Sequence, residues 1–183
     1  KKRGVKVTAE VAIHHLTLDD ENLSTFSTAF KVSPPLRDMR HVEALRIGVL
    51  DGTFDAIVTD HAPHAFEEKD VEFRYAPNGF TGLESLVAVG LTDLVHTGII
   101  PLHTFVSKLT CEPSDVFELN RGSLKVGKIA DITIMDLDKE WIIDSQKFYT
   151  KGKHSPYHGK RCRGAAVCTV LGGKIVMKDG VVC

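Results

Sequence analysis

Several absences narrow this sequence before any motif is read. No stretch approaches the ~20 consecutive apolar residues of a membrane-spanning helix, and Lys1-Lys2-Arg3 is not followed by the apolar run of a signal peptide. The four cysteines, Cys111, Cys162, Cys168 and Cys183, include no Cys-x-x-Cys pair and no regular framework. They read as reduced thiols of a cytoplasmic protein. Cys162 and Cys168 lack His or Cys partners at zinc-site spacing. With 23 basic against 24 acidic residues and a net charge of −1, no basic face stands out, which argues against nucleic acid as a partner. No internal repeat or low-complexity segment is visible.

What remains is an ordinary folded composition. The chain has 183 residues, 43% hydrophobic and 26% charged, enough for one domain or for part of a larger fold with a small appendage. Residues 5–13, with Val5 and Val7 and then the stretch Ala9 to Ile13, predict a buried strand of a parallel sheet. That strand starts almost at the first residue, so the chain is expected to be cut on its N-terminal side. Asp38 is placed to cap a helix from about Met39 to Leu50, ended by Asp51-Gly52. Phe54 to Thr59 predicts a second buried strand. Helical spacing returns over 83–96, and shorter helices are expected at 101–110 and 113–119. From Gly122 the texture changes to alternating apolar and polar residues with glycines, the mark of short antiparallel strands with turns at Gly172-Gly173 and Lys178-Asp179-Gly180. The expected class is therefore α/β: strand–helix units over 1–121, then a small β module over 122–183.

Chemistry concentrates where the two strands end. Asp60-His61-Ala62-Pro63-His64 sets an acid and two histidines on a proline-braced turn after the second strand. In parallel α/β folds functional groups gather at such strand ends. The Asp60 carboxylate suits a divalent metal and general-base chemistry toward water; a turn-capping role is the plain alternative. His64, four residues on, is placed to touch a ligand from the loop, or is simply an exposed loop histidine. His14 and His15 end the first strand, where extended geometry points them to opposite faces, so at most one is expected at the site, and a hydrogen-bonded structural histidine is an equal reading for either. The other histidines (His41, His96, His103, His154, His158) have no ligand spacing and read as solvated, as does the charge run Glu67-Glu68-Lys69-Asp70. Ser33-Pro34-Pro35-Leu36-Arg37 forms a stiff loop holding a hydroxyl and a guanidinium. Arg37 suits a substrate carboxylate or, equally, a surface ion pair with Asp38 or Glu43. Asn78-Gly79 offers backbone N–H and C=O groups to a flat ligand, or is simply a turn.

These segments together resemble the dihydroorotases, cyclic amidohydrolases of pyrimidine synthesis. The likeness runs through Val7 to Val11 with His14-His15-Leu16, Pro34-Pro35-Leu36-Arg37, Asp60 to His64, and Gly79-Phe80-Thr81-Gly82-Leu83-Glu84. It continues through Gly122 to Ile134 and Gly173 to Val176, a pattern shared by many amidohydrolases. The resemblance implies the C-terminal part of a (β/α)8 TIM barrel, its last two strands with their helices, followed by a small β-sandwich-like module. It implies the reversible cyclisation of N-carbamoyl-L-aspartate to dihydroorotate over two Zn2+ ions. Asp60 would be a metal ligand and the catalytic proton-transfer group, and Ser33, Arg37, His64, Asn78 and Gly79 would meet the substrate. Ser33 stands where many bacterial members have Asn. The family's other metal ligands, a His-x-His pair, a bridging Asp or carboxylated Lys and two further histidines, belong before Val5. The resemblance thus implies a metal pair not fully bound by this chain alone, and a missing N-terminal barrel portion as its partner, with a homodimer or aspartate transcarbamoylase as further partners. The alternatives are a non-catalytic scaffold that binds aspartate transcarbamoylase, and a related cyclic amidase such as allantoinase or dihydropyrimidinase.

Overall fold

The computed structural model describes residues 1–183. Two parallel strands, β1 (Glu10–Ala12) and β2 (Ala56–Val58), pair with Val11 opposite Ile57. Between them run α1 (Ile13–Thr17), two short 3-10 turns and α2 (Met39–Leu50). The first strand is shorter than the sequence suggests. Val5 and Val7 are more than half exposed and unpaired, and Ile13 already begins a helix. A strand needs a neighbour to hold it, and β2 reaches β1 over three residues only.

Helix α2 has the bounds the sequence predicts. The Asp38 carboxylate accepts from the backbone N–H groups of Arg40 and His41, and Val42 and Val49 are buried. After β2 come α3 (Phe66–Lys69) and a continuous helical stretch: a 3-10 turn at Leu83–Ser85, α4 (Leu86–Gly90) and a π turn over Leu91–Val95. Helices α5 (Leu102–Leu109) and α6 (Cys111–Val116) follow, and α5 packs on β2. No helix is long and apolar enough to cross a membrane.

The rest is one antiparallel sheet in the order β3 (Ile132–Ile142), β4 (Arg161–Leu171), β5 (Lys174–Lys178), β6 (Val181–Val182). Gly172-Gly173 makes the β4–β5 turn and Asp179-Gly180 the β5–β6 turn, as the sequence predicts, with positive φ at all four residues. Leu124, Val126 and Ile129 lie outside any strand and are exposed. The sheet and the strand–helix part share one core: Val11, Ile13, Leu16 and Phe80 belong to the same buried cluster as Ile143, Phe148, Tyr157 and Cys162. Tyr157 Oη lies 2.8 Å from Thr17 Oγ1, joining the inner end of the sheet region to α1.

Candidate active site

The two parallel strands end side by side, and both ends are bent sharply. After β1 the chain turns at once into α1, so His14 and His15 leave a helix and not an extended strand. This corrects the geometry expected for them while keeping its outcome. His14 is fully buried, edge-on to Phe80 at 5.1 Å, whereas His15 lines a cleft. After β2, Asp60 takes φ +49, a left-handed conformation that Asp tolerates better than most side chains. It is exposed and lines the same cleft.

That cleft encloses about 630 Å³. Its lining is polar at His15, Ser33, Arg37 and Asp60 and apolar at Val11, Ala12, Leu45 and Phe54, beside the unpaired edge of β1. Arg37 makes no ion pair. Asp38 instead holds Arg40 at 2.8 Å and His41 at 3.0 Å, which keeps its carboxyl well below the usual range. A free guanidinium beside a carboxylate and an imidazole can hold an anionic group in two-point geometry. Burial holds the His15 imidazole below its ordinary pKa, partly opposed by the Asp60 charge, so the ring is largely neutral at pH 7. Its Nε2 is buried without a partner.

A second cluster lies along the 61–84 loop. His61 Nδ1 accepts from the N–H groups of Gly82 (3.2 Å) and Leu83 (3.1 Å), so its proton sits on Nε2 and the ring braces the entry to the helical stretch. His64 Nε2 donates to the Asn78 carbonyl at 2.9 Å, with Glu68 3.5 Å from Nδ1. Gly79 is buried at φ +114; a Cβ there would sit 2.6 Å from that of Ala62, so only glycine fits. The sequence offers the backbone of Asn78-Gly79 to a ligand, but most of it is already engaged. Gly79 N–H donates to the Lys31 carbonyl at 2.8 Å, and the Gly79 carbonyl accepts from Lys69 Nζ at 2.8 Å. What stays free is the Asn78 amide side chain and second lone pairs on the carbonyls.

Sequence reasoning missed Lys69 and His154. Lys69, read as part of a solvated charge run, is 1% exposed, and burial beside Lys31 lowers its pKa to about 8. His154, also read as solvated, is half-buried against Phe66 with its Nε2 unpartnered. The segment 148–154 backs the loop directly. Glu84 accepts from the N–H groups of Tyr149 and Thr150 and from the Thr150 hydroxyl, Thr81 Oγ1 donates to the Gly152 carbonyl, and Thr81 N–H donates to that of His154. A glutamate that caps backbone from a distant segment has no local sequence signature.

Nowhere do three His, Cys, Asp or Glu side chains converge as a metal site. Asp60 presents one carboxylate, so the residues of this chain do not meet the ligand demand of a zinc pair.

The amidohydrolase family model matches residues 3–176. The chain belongs to the amidohydrolase family. Among curated amidohydrolases, the dihydroorotase of Trichlorobacter lovleyi is 47% identical over 176 residues, which cover 96% of this chain and 41% of that protein. The dihydroorotase of Acetivibrio thermocellus is 45% identical over 99% of this chain and 42% of its own length. Among solved structures, an L-hydantoinase (dihydropyrimidinase) from Arthrobacter aurescens superposes with a TM-score of 0.94 at 29% identity, covering all of this chain and 42% of that one. A dihydropyrimidinase from Brevibacillus agri matches the fold with a TM-score of 0.90 at 23% identity. This amidohydrolase chain therefore spans about two fifths of the length of the relatives it matches.

Proposed function

We propose that this chain is the C-terminal portion of a dihydroorotase. In this reading residues 1–121 carry the last two strands and helices of a (β/α)8 barrel, and residues 122–183 carry the C-terminal β module. The observation that carries it is the cleft in which Asp60, held left-handed at the end of β2, shares a wall with the unpaired Arg37. In the hydrolytic direction water adds to the ring carbonyl of dihydroorotate and the ring C–N bond breaks. Asp60 takes the proton of the attacking water and returns it to the departing amide nitrogen. Arg37, with Ser33 beside it, holds the substrate carboxylate. In the complete enzyme His64 and Asn78-Gly79, joined by the His64–Asn78 hydrogen bond on the neighbouring loop, would meet the substrate from outside this lining. The zinc pair implied by the family needs ligands from the remaining three fifths of the complete protein, the partner that this reading requires. The whole would work in the cytoplasm, on the path to pyrimidines.

The hydantoinase and dihydropyrimidinase structures share the fold, but dihydrouracil and simple hydantoins carry no carboxylate for Arg37. The 45–48% identity to proteins named dihydroorotase also favours the first reading. The test is made on a protein completed with the remaining portion of the Trichlorobacter lovleyi relative, offered dihydroorotate, allantoin and dihydrouracil. Dihydroorotate should be the preferred substrate, and Asp60→Asn, which keeps the left-handed turn, should lower turnover by about 10²- to 10⁴-fold. Preference for an uncharged ring, or full activity of Asp60→Asn, would overturn the proposal.

A further inference from the structure

The mechanism above gives Lys69 no part, yet Lys69 is the most deeply placed charged group in the chain, at 1% exposure. Its Nζ donates to two carbonyls, Pro77 at 3.0 Å and Gly79 at 2.8 Å. Its own carbonyl accepts from Thr28 Oγ1 at 2.7 Å. Lys31, three residues beyond Thr28, accepts from Gly79 N–H through its carbonyl and donates from Nζ to the carbonyls of Phe73 and Arg74. Three segments therefore meet around Lys69: 77–79, held by its ammonium; 28–31, which leads into the Ser33–Arg37 loop and bonds the Lys69 carbonyl and the Gly79 N–H; and 64–69, which starts at His64.

The alternatives for a buried lysine do not hold here. It has no carboxylate partner, since no ion pair involves it. It does not line the cleft. An ammonium is desolvated at real expense, and both of its bonds go to the one short stretch of backbone that His64 and Lys31 hold from the other side. Glycine at 79, required by the contact with Ala62, makes that stretch soft without an anchor.

We infer that Lys69 is a positioning residue for substrate binding, fixing the Asn78-Gly79 backbone and the His64 ring against the Ser33–Arg37 loop. It acts through those groups and touches no substrate. The inference rests on the reading of the cleft as a dihydroorotase site, and its experiment separates the two.

In the completed enzyme, Lys69→Met removes both hydrogen bonds at similar length, Lys69→Gln keeps an amide donor, and Lys69→Ala opens a space that a short alkylammonium can fill. Two readouts apply. The first is amide hydrogen exchange at Gly79, whose N–H bond to the Lys31 carbonyl holds only while Lys69 keeps the Gly79 carbonyl in place. Lys69→Met should exchange at least about ten-fold faster there, the scale of one lost hydrogen bond to a charged group, while amides of α2 stay unchanged. The second is kinetics on dihydroorotate. KM should rise roughly 10-fold or more in Lys69→Met with kcat within a few-fold, less in Lys69→Gln, and ethylammonium should restore KM in Lys69→Ala. Unchanged exchange at Gly79 would overturn the inference, as would equal losses in kcat and KM that the amine does not rescue. A wild-type enzyme inactive on dihydroorotate would instead overturn the substrate assignment, leaving the exchange result to decide the role of Lys69.

Discussion

His14 carries two ring nitrogens into a place with no exposure and no hydrogen-bond partner. Burial, with His15 beside it at 4.3 Å between ring centroids, lowers its pKa from 6.5 to about 3. The folded protein therefore keeps His14 neutral where the unfolded chain takes up a proton. Between pH 6.5 and 3 the unfolded state binds more protons, so stability is full above the upper value and falls on acidification, by at most about 1.4 kcal/mol per pH unit. His14→Leu removes the titration and two unpartnered polar atoms. Denaturant unfolding at pH 7 and pH 5 should show a smaller loss of stability on acidification in the variant, with no loss at pH 7. An identical acid response in both proteins would sink this account. At this scale the sequence is legible in placement: Asp60 and Arg37, read as lying near strand ends, line one cleft. It is silent where a long side chain such as Lys69 folds back onto backbone, because a run of charges looks the same whether its members point out or in.

Among the elements, α2 is fully legible: a capping Asp38, helical spacing and a stopping Asp51-Gly52 act within one stretch of chain. The strands are less so. β-branched residues at 5 and 7 fit a strand, but pairing is a property of two segments, and only Glu10–Ala12 has a partner. The packing of α4 against α5 was likewise outside what spacing can tell. A Cβ at Gly90 would lie 2.2 Å from Cζ of Phe105, which is fully buried. Gly90→Ala should therefore destabilise by about 1–3 kcal/mol in spite of alanine's better helix propensity. Phe105→Leu should give back part of that loss, so thermal unfolding of the double variant should show less destabilisation than the two singles added. Simple additivity would mean that the helix pair moves apart and the contact does not matter.

For the molecule as a whole, surface area is the telling quantity. A compact monomer of 20.1 kDa exposes about 8,700 Å², while this chain exposes 11104 Å². Part of the difference lies along β1 and β2, a two-stranded parallel sheet with both outer edges open, an arrangement that does not stand alone in water. Another part lies on the β3–β6 region, where Leu124, Val126, Ile134, Ile175 and Val181 are each at least half exposed. The change of texture at Gly122 and the strand-end motifs are legible in the sequence, since each is local. Whether anything covers these surfaces is not, because no residue of this chain packs on them. The expected behaviour of the purified chain is self-association through open strand edges and apolar surface, seen as concentration-dependent mass in light scattering and as strong binding of an apolar dye. Adding the remaining portion of a dihydroorotase relative should suppress both signals and yield one species of defined mass. A chain that stays monomeric and dye-silent by itself would mean that these surfaces are stable in water, and the case for a barrel completed from elsewhere would lose its physical basis.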